Sequence, residues 1–255
     1  MAKRYDGTLL ITDLDGTMIR SDGTVSAENC EAIARFQQNG GTFSVATGRL
    51  PSHFAQFAGL FEPNAPVITF NGAGIYDLSR KQMLCSRRIP VPLAELMQAA
   101  EPYAEEMEAV ILNSETGRQY LEWEQAKEKL PELNGEPWLK MIFVFRRAAA
   151  AVCAQTELRQ SSLGKMCDFS RSWPVGVEVL DKRATKGCAV HALRAMLPQI
   201  SRVVCIGDYE NDLSMLQEAD LGVAVGNALE IVRQTADRVT VTNDENAIAA
   251  LIDSL

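Results

Sequence analysis

Two aspartates, Asp13 and Asp15, stand two residues apart directly after a short apolar run at residues 8–12 (TLLIT). An apolar run of this length that ends in acids is typical of a buried strand followed by a loop. Two carboxylates this close repel each other, so the loop calls for a cation or a shared proton. The bare spacing also occurs in solvated turns, and the flanking apolar run is what favours a chemical role.

A second acidic loop, at residues 207–212 (GDYEND), follows another apolar run at residues 202–206. Capping of the next helix accounts for one of its acids but not for Asp208. The carboxyl ends of parallel strands meet at one edge of a sheet, where ligands bind, so the two loops are expected to lie together. Oxygen-rich sites of this kind suit Mg²⁺. The predicted metal-binding residues are Asp13, Asp15, Asp208 and Asp212.

The elements that must position these loops alternate between strand and helix at both ends of the chain. Strands are predicted at residues 8–12, 42–46, 66–70, 202–206 and 221–225, and helices at 26–38, 185–197 and 211–218. Ser26 is placed to cap the first helix, and Gly40 and Gly41 to end it. This order predicts an α/β fold with a parallel sheet covered by helices on both faces.

The middle of the chain has a different pattern, which predicts a separate α+β domain inserted into the sheet domain. Its predicted helices span residues 92–106 and 148–162, its strands span 108–112, 141–145 and 175–180, and a loop is expected around Pro131, Gly135 and Pro137. The predicted domains are therefore a core, residues 1–87 with 183–255, and an insert, residues 88–182.

Composition excludes several classes of protein. The 255 residues carry a formal net charge of −8 and no basic stripe, so no nucleic-acid partner is expected. No apolar stretch is long enough to span a bilayer, and no secretory signal is visible, so no membrane association is expected. Six scattered cysteines predict free thiols and a cytoplasmic location. With two histidines, a histidine-rich metal site is excluded by count.

Four motifs stand in an order that resembles the haloacid dehalogenase (HAD) superfamily. They are DLDGT from Asp13, ATGR around Thr47, ATKG around Lys186, and GDYENDLSML from Gly207. Two shorter strings, NGA at residues 71–73 and GNA at 226–228, resemble the Cof-type subfamily. The resemblance covers most of residues 8–226. It implies a Rossmann-like core with a C2-type cap domain, because only the gap between Thr47 and Lys186 has room for an insert.

The resemblance also implies roles for individual residues. Asp13 would attack phosphorus and become an aspartyl phosphate, and Asp15 would protonate the leaving oxygen and then activate water. Mg²⁺ would be held by Asp13, the backbone carbonyl of Asp15, and Asp208, with support from Asp212. The residues implied to bind the phosphoryl group are Thr47, Gly48, Lys186 and Asn211.

The implied function is a magnesium-dependent phosphatase for small phosphorylated metabolites, such as sugar or cofactor phosphates, acting as a monomer or small homo-oligomer. The presence of Asp15 favours phosphoryl transfer over dehalogenation, which needs no second acid. A phosphomutase of the same superfamily and a non-catalytic phosphate-binding regulator stay open as alternatives. Arg49 is either a substrate contact or a structural ion-pair partner. The insert offers aromatic and basic candidates for leaving-group contacts, among them Tyr120, Trp123, Trp138, Lys140 and Phe143.

Overall fold

A computed structural model describes residues 3–255. In chain order the strands are β1 (Thr8–Thr12), β2 (Thr42–Val45), β3 (Val67–Thr69), β4 (Gly74–Asp77), β5 (Gln82–Ser86), β6 (Met107–Ser114), β7 (Gly117–Glu122), β8 (Lys140–Phe145), β9 (Cys167–Trp173), β10 (Gly176–Asp181), β11 (Arg202–Gly207), β12 (Leu221–Ala224) and β13 (Arg238–Val239). The α-helices are α1 (Ala27–Gln38), α2 (Leu93–Ala100), α3 (Trp123–Leu133), α4 (Ala148–Gln160), α5 (Lys186–Met196), α6 (Leu213–Glu218), α7 (Glu230–Thr235) and α8 (Ala247–Asp253).

The chain divides into two units. The first unit runs to Leu84 and resumes over Lys186–Leu255, and the second unit is Cys85–Thr185. These limits lie three residues outside the insert boundaries expected from the sequence, residues 88 and 182.

A five-stranded parallel sheet forms the centre of the first unit, in the order β13-β12-β11-β1-β2. All five residues of β1 are buried, which is why an unbroken apolar run forms this strand. Thr12, the last residue of β1, pairs with Val45 of β2 and Ile206 of β11. The loops that leave these three strands therefore begin side by side.

Helices of the first unit pack against one another in pairs. Ser26 caps α1 by accepting a hydrogen bond from the backbone of Asn29 at 3.2 Å, as the sequence predicted. Helix α1 packs against α8, and α5 packs against α6. Gly187 faces the backbone of Ser214, where a Cβ would clash, so the start of α5 lies close to the start of α6.

Most predicted elements of the first unit are confirmed, but one predicted strand does not belong to the parallel sheet. The strands predicted at 8–12, 42–46, 202–206 and 221–225 are present within one residue of their expected ends. The run at 66–70 shortens to β3, which pairs antiparallel with β4 instead of joining the parallel sheet as a full strand. A single parallel bridge, Ala46 to Ile68, joins β3 to the segment after β2. Phe70 turns the chain back with φ of 53°, which ends the strand.

The second unit is an antiparallel sheet in the order β7-β6-β8-β10-β9. Helices α2, α3 and α4 pack on one face, where alternate strand residues such as Val110, Phe143 and Val179 form the core. The opposite face carries a smaller apolar cluster that includes Ile111 and Ile142. The second unit is therefore of the α+β class, which is the class predicted from the sequence for the middle of the chain.

Two details of the insert differ from the sequence-based prediction. The helix expected at 92–106 ends as an α-helix at Ala100 and continues as a 3₁₀ helix, because Pro102 lacks the N–H that an α-helix needs. Pro131 lies inside α3 and not in a loop. Burial of Trp123, Ala126 and Leu133 on the inner face of α3 offsets the hydrogen bond that the proline removes.

Candidate active site

Asp13 follows β1 and is buried, with 5% of its surface exposed. Its backbone N–H donates to the carbonyl of Ile206 at 2.9 Å, which extends the pairing of β1 with β11 by one residue. Its carboxylate Oδ1 accepts a hydrogen bond from Lys186 Nζ at 2.6 Å. A buried carboxylate without a cationic partner would be costly, so this contact is what permits an acid at the end of the strand.

Lys186 is the first residue of α5 and is also buried. Its ammonium donates to Asp13 Oδ1 and to Asp212 Oδ1, both at 2.6 Å. Burial alone lowers the pKa of Lys186, but the charges of Asp13 and Asp212 outweigh it, so the pKa lies above its ordinary value. Lys186 is therefore a fixed cation between two carboxylates.

Asp212 holds the second acidic loop in shape. Its Oδ2 accepts the backbone N–H groups of Asp208 at 2.9 Å and of Tyr209 at 3.1 Å. The carboxylate thus caps the short 3₁₀ turn Glu210–Asp212 that precedes α6 and reaches Lys186 with its other oxygen. The helix predicted from residue 211 consists of this turn followed by α6.

Asp208 is oriented by the first acidic loop. Thr17 Oγ1 donates to Asp208 Oδ1 at 2.9 Å. Gly16 has φ of +84°, and a Cβ at this position would lie 2.5 Å from Asp208 Oδ2, so the glycine lets the two loops meet. Burial, followed by the charge of Asp212, raises the pKa of Asp208 to about 7.

The three buried acids form a compact group suited to a cation. One carboxylate oxygen from each of Asp13, Asp208 and Asp212 lies within 4.8 Å of the others. Burial raises the pKa of Asp13 well above its usual range, and the charges of Asp212 and Asp208 add to this while Lys186 opposes it. When all three acids are ionised, one ammonium faces three carboxylates, so negative charge is left uncompensated. A hard divalent cation with oxygen ligands fits this donor set.

Asp15 does not join that group. Its side chain is 57% exposed and forms a two-pronged ion pair with Arg49, with Nε–Oδ2 at 2.9 Å and Nη2–Oδ1 at 2.5 Å. Of the two alternatives for Arg49, the structure contains the ion pair. The sequence offered no signal for this particular partner of Asp15.

The segment after β2 carries Thr47 and Gly48 to the same edge. Thr47 is buried, its backbone N–H donates to Ile68, and its Oγ1 accepts the backbone N–H of Arg49 at 3.2 Å. The backbone N–H of Asn71 donates to the carbonyl of Thr47 at 2.9 Å. Gly48 lies between Thr47 and Arg49 and is half-buried.

Asn211 reaches this segment from the second acidic loop. Its Nδ2 donates to Asn71 Oδ1 at 3.2 Å, while its own Oδ1 is buried without a hydrogen-bond partner. Asn71 has φ of 56° and follows Phe70 at 53°, so two left-handed residues in succession shape this turn. Such strain persists only where the surroundings fix it, and it is common beside functional sites.

Two residues that help to shape the site were given no role from the sequence. Thr17 belongs to DLDGT, but its spacing alone does not reveal its bond to Asp208. Asn227 Nδ2 donates to the carbonyl of Gly16 at 2.8 Å, and its Oδ1 accepts the backbone N–H of Asn243 at 2.9 Å. The sequence feature that could have singled out Asn227 is its place in the GNA string at residues 226–228.

The aromatic and basic residues that the sequence offered as leaving-group contacts belong to the second unit. Trp123, Trp138 and Phe143 are part of the core of the second unit. Lys140 pairs with Glu178 at 3.5 Å, with both side chains buried.

Within residues 3–255, none of the helices has the length and apolar character required to traverse a bilayer.

The first unit combines a parallel sheet with a buried aspartate after its first strand, a lysine on a later helix and further acids on an adjacent loop. This is the arrangement expected of a phosphoryl-transfer enzyme of the α/β class. Residues 10–252 match the family of haloacid dehalogenase-like hydrolases. The chain belongs to this family, and within it to the Cof-type phosphatases.

The similarity between this chain and known proteins extends over nearly the whole length of both. The chain is 28% identical over 253 residues to a 5-amino-6-(5-phospho-D-ribitylamino)uracil phosphatase of Bacillus subtilis (strain 168), covering 97% of this chain and 95% of the relative. It is 26% identical over 271 residues to a pyridoxal phosphate phosphatase of Escherichia coli (strain K12), covering 96% and 97%. A crystal structure of a haloacid dehalogenase-like hydrolase from Bacteroides thetaiotaomicron is 27% identical, with a TM-score of 0.75 over 98% of this chain and 99% of that one.

Proposed function

We propose that this chain is a Mg²⁺-dependent phosphatase that hydrolyses small phosphorylated metabolites through an aspartyl phosphate on Asp13. The observation that carries the proposal is the buried contact between Asp13 and Lys186, 2.6 Å long, at the end of β1. The attacking form of Asp13 is the carboxylate. Burial raises the pKa of Asp13, and the ammonium of Lys186 opposes that rise.

Asp13 and Asp208 are the proposed direct ligands of the cation. Asp212 already accepts three hydrogen bonds, from Lys186 and from the backbone of Asp208 and Tyr209, so its main contribution is to hold Lys186 and the loop in place. When bound, Mg²⁺ offsets the negative charge of the transferring phosphoryl group. The backbone carbonyl of Asp15 is the third proposed ligand of the cation.

The reaction has two steps. In the first, a carboxylate oxygen of Asp13 attacks phosphorus, the bond to the ester oxygen breaks, and Asp15 gives that oxygen a proton. In the second, water attacks the phosphorus of the aspartyl phosphate, Asp15 takes a proton from the water, and the bond between phosphorus and the Asp13 oxygen breaks, which releases inorganic phosphate and restores the Asp13 carboxylate. Lys186, Thr47, Gly48 and Asn211 are the proposed contacts of the phosphoryl oxygens.

The proposed substrate class is small phosphate esters of sugars or cofactors. Support comes from the names of two relatives, which act on pyridoxal phosphate and on 5-amino-6-(5-phospho-D-ribitylamino)uracil. All six cysteines are free thiols, which supports a reducing, cytoplasmic setting.

The proposal is tested by measuring phosphate release from a panel of sugar and cofactor phosphates, with Mg²⁺ or with a chelator, for the wild type and Asp13→Asn. Magnesium-dependent release that is lost in the variant supports the proposal. Transfer of phosphate to a second position of a bisphosphorylated sugar, without net release, would instead identify a phosphomutase. No reaction with any compound by a folded, metal-binding protein would point to a regulator.

A further inference from the structure

The ion pair between Arg49 and Asp15 joins two loops of the first unit. Arg49 lies on the loop after β2, and its Nε and Nη2 donate to the two oxygens of the Asp15 carboxylate at 2.9 Å and 2.5 Å. This two-pronged geometry fixes both the position and the rotation of a carboxylate, which a single contact does not.

Within residues 3–255, Arg49 is the sole hydrogen-bond donor to the side chain of Asp15. That side chain is 57% exposed, so packing does not hold it either. Without Arg49, the carboxylate would rotate among its staggered conformations. A group that hands a proton to a reacting oxygen must lie within hydrogen-bond reach of it, so such freedom carries a cost in rate.

Arg49 itself is held from two sides. The guanidinium carbon lies 5.5 Å from the centre of the Phe57 ring, and Phe57 packs on Phe61 with ring centres 5.3 Å apart. Phe61 in turn meets Phe43 of β2 edge-on at 6.1 Å. The backbone of Arg49 is also bonded, because its N–H donates to Thr47 Oγ1. A row of buried rings thus connects the sheet to the guanidinium.

We propose that Arg49, anchored on Phe57, is a positioning residue that holds the side chain of Asp15 in place, so that its carboxyl form gives a proton to the leaving oxygen and its carboxylate form then takes one from water. This inference rests on the proposed function, because it concerns the acid–base role given there to Asp15. Arg49 acts through Asp15 and needs no contact with the substrate.

A series of phosphate esters with leaving groups of graded acidity tests this role. A poor leaving group such as an alkoxide needs a proton as it departs, whereas an activated one such as 2,4-dinitrophenolate does not. Because kcat/KM reports the reaction up to cleavage of the ester bond, it isolates the step in which Asp15 acts as an acid. For Arg49→Gln we expect kcat/KM to fall by about 10- to 100-fold with glycerol phosphate, and to stay close to the wild-type value with dinitrophenyl phosphate.

Further variants separate positioning from folding. Asp15→Asn should show the same dependence of kcat/KM on the leaving group. Adding Arg49→Gln to Asp15→Asn should not lower kcat/KM any further. Arg49→Lys keeps the charge but not the two-pronged contact, and Phe57→Leu removes the supporting ring. In both variants kcat/KM should depend on the acidity of the leaving group more than in the wild type and less than in Arg49→Gln. Arg35→Gln breaks an exposed ion pair with Asp253 and should leave the whole series unchanged.

A fall in kcat/KM by the same factor for every leaving group, in Arg49→Gln or in the milder Arg49→Lys and Phe57→Leu, would overturn the inference. That result is distinct from failure of the proposed function. If Asp13→Asn keeps its turnover, the aspartyl phosphate proposal fails; if Asp13→Asn is inactive but the Arg49 variants lose rate uniformly, only the positioning role fails.

Discussion

The ammonium of Lys186 lies 2.6 Å from Oδ1 of Asp13, and both side chains are buried. Lys186 opens α5 and Asp13 ends β1, so this contact joins two segments that are 173 residues apart in the chain. The same ammonium also meets Asp212 on the second acidic loop. One side chain thus compensates the charge of the proposed nucleophile and helps to hold the loop that carries Asp208.

Replacing Lys186 by Met should abolish phosphate release and weaken the fold. Removal of one partner of a buried ion pair costs about 3–5 kcal/mol, because the remaining charge has no compensation. Urea unfolding and phosphate release measure the two effects. Arg194→Met, which breaks a partly exposed pair with Asp220, should cost less than about 1 kcal/mol and preserve activity. A fully active Lys186→Met protein would contradict the role given to this residue.

The stability of the metal-free protein should fall as the pH rises from about 4 to about 7. The pKa of Asp208 is raised to about 7 in the folded state, whereas an unfolded aspartate titrates near 3.9. The folded state therefore binds more protons than the unfolded state in this window, and the free energy of unfolding decreases with rising pH. Asp208→Asn should lack this component.

Urea unfolding of both proteins in the presence of a chelator checks this pH dependence. Added Mg²⁺ should stabilise the wild type more at about pH 8 than at about pH 5, since protons and the cation compete for the same carboxylates. If the wild type and Asp208→Asn give parallel curves against pH, Asp208 does not titrate as described.

Gly16 and Gly23 form a matched pair for testing the meeting of the acidic loops. Both have positive φ, +84° and +82°, but a Cβ on Gly16 meets Asp208 Oδ2 whereas one on Gly23 meets nothing within 4 Å. Alanine at either position should cost about 1–2 kcal/mol in backbone strain. Only Gly16→Ala should also weaken Mg²⁺ binding, measured by calorimetry. Equal affinities for the two variants would show that the contact is unimportant.

How well the sequence predicted these features depended on how local each one is. The strand at 8–12 and the cap at Ser26 follow from nearest neighbours, because an unbroken apolar run and a serine before a helix each have one common structural meaning. The strand ends then brought Asp13 and Asp208 to one edge of the sheet, as expected for parallel strands.

Features that depend on distant partners were not predictable. The sequence contains both Asp15 and Arg49, but nothing in their spacing of 34 residues indicates a two-pronged contact. Strand β7 escaped detection because it has one buried residue, Leu121, among polar neighbours. Pro131 was misread because tertiary packing of α3 overrode a local signal.

Asn227 should prove important for metal binding although it bears no charge. Its side chain ties Gly16 to Asn243 with one donated and one accepted hydrogen bond, at 2.8 and 2.9 Å. Asn64 makes the same two kinds of bond, to Gly41 and from Phe43, at the opposite end of β2. Asn227→Ala and Asn64→Ala should each cost about 1 kcal/mol.

Calorimetric titration with Mg²⁺ distinguishes the two asparagine variants. The affinity should drop several-fold in Asn227→Ala, because the carbonyl of Gly16 is released beside Asp208, and stay unchanged in Asn64→Ala. The opposite ranking would show that Asn227 serves stability alone.

Trapping of the phosphorylated enzyme tests the central claim most directly. Asp15→Asn, mixed with Mg²⁺ and an activated phosphate ester and quenched in acid, should still be phosphorylated but should hydrolyse the intermediate slowly, because the base for the second step is absent. Peptide mass spectrometry after the quench should then find one phosphoryl group on Asp13, and none in the same variant carrying Asp13→Asn. A phosphoryl group on another residue, or turnover with Asp13 replaced, would contradict the account.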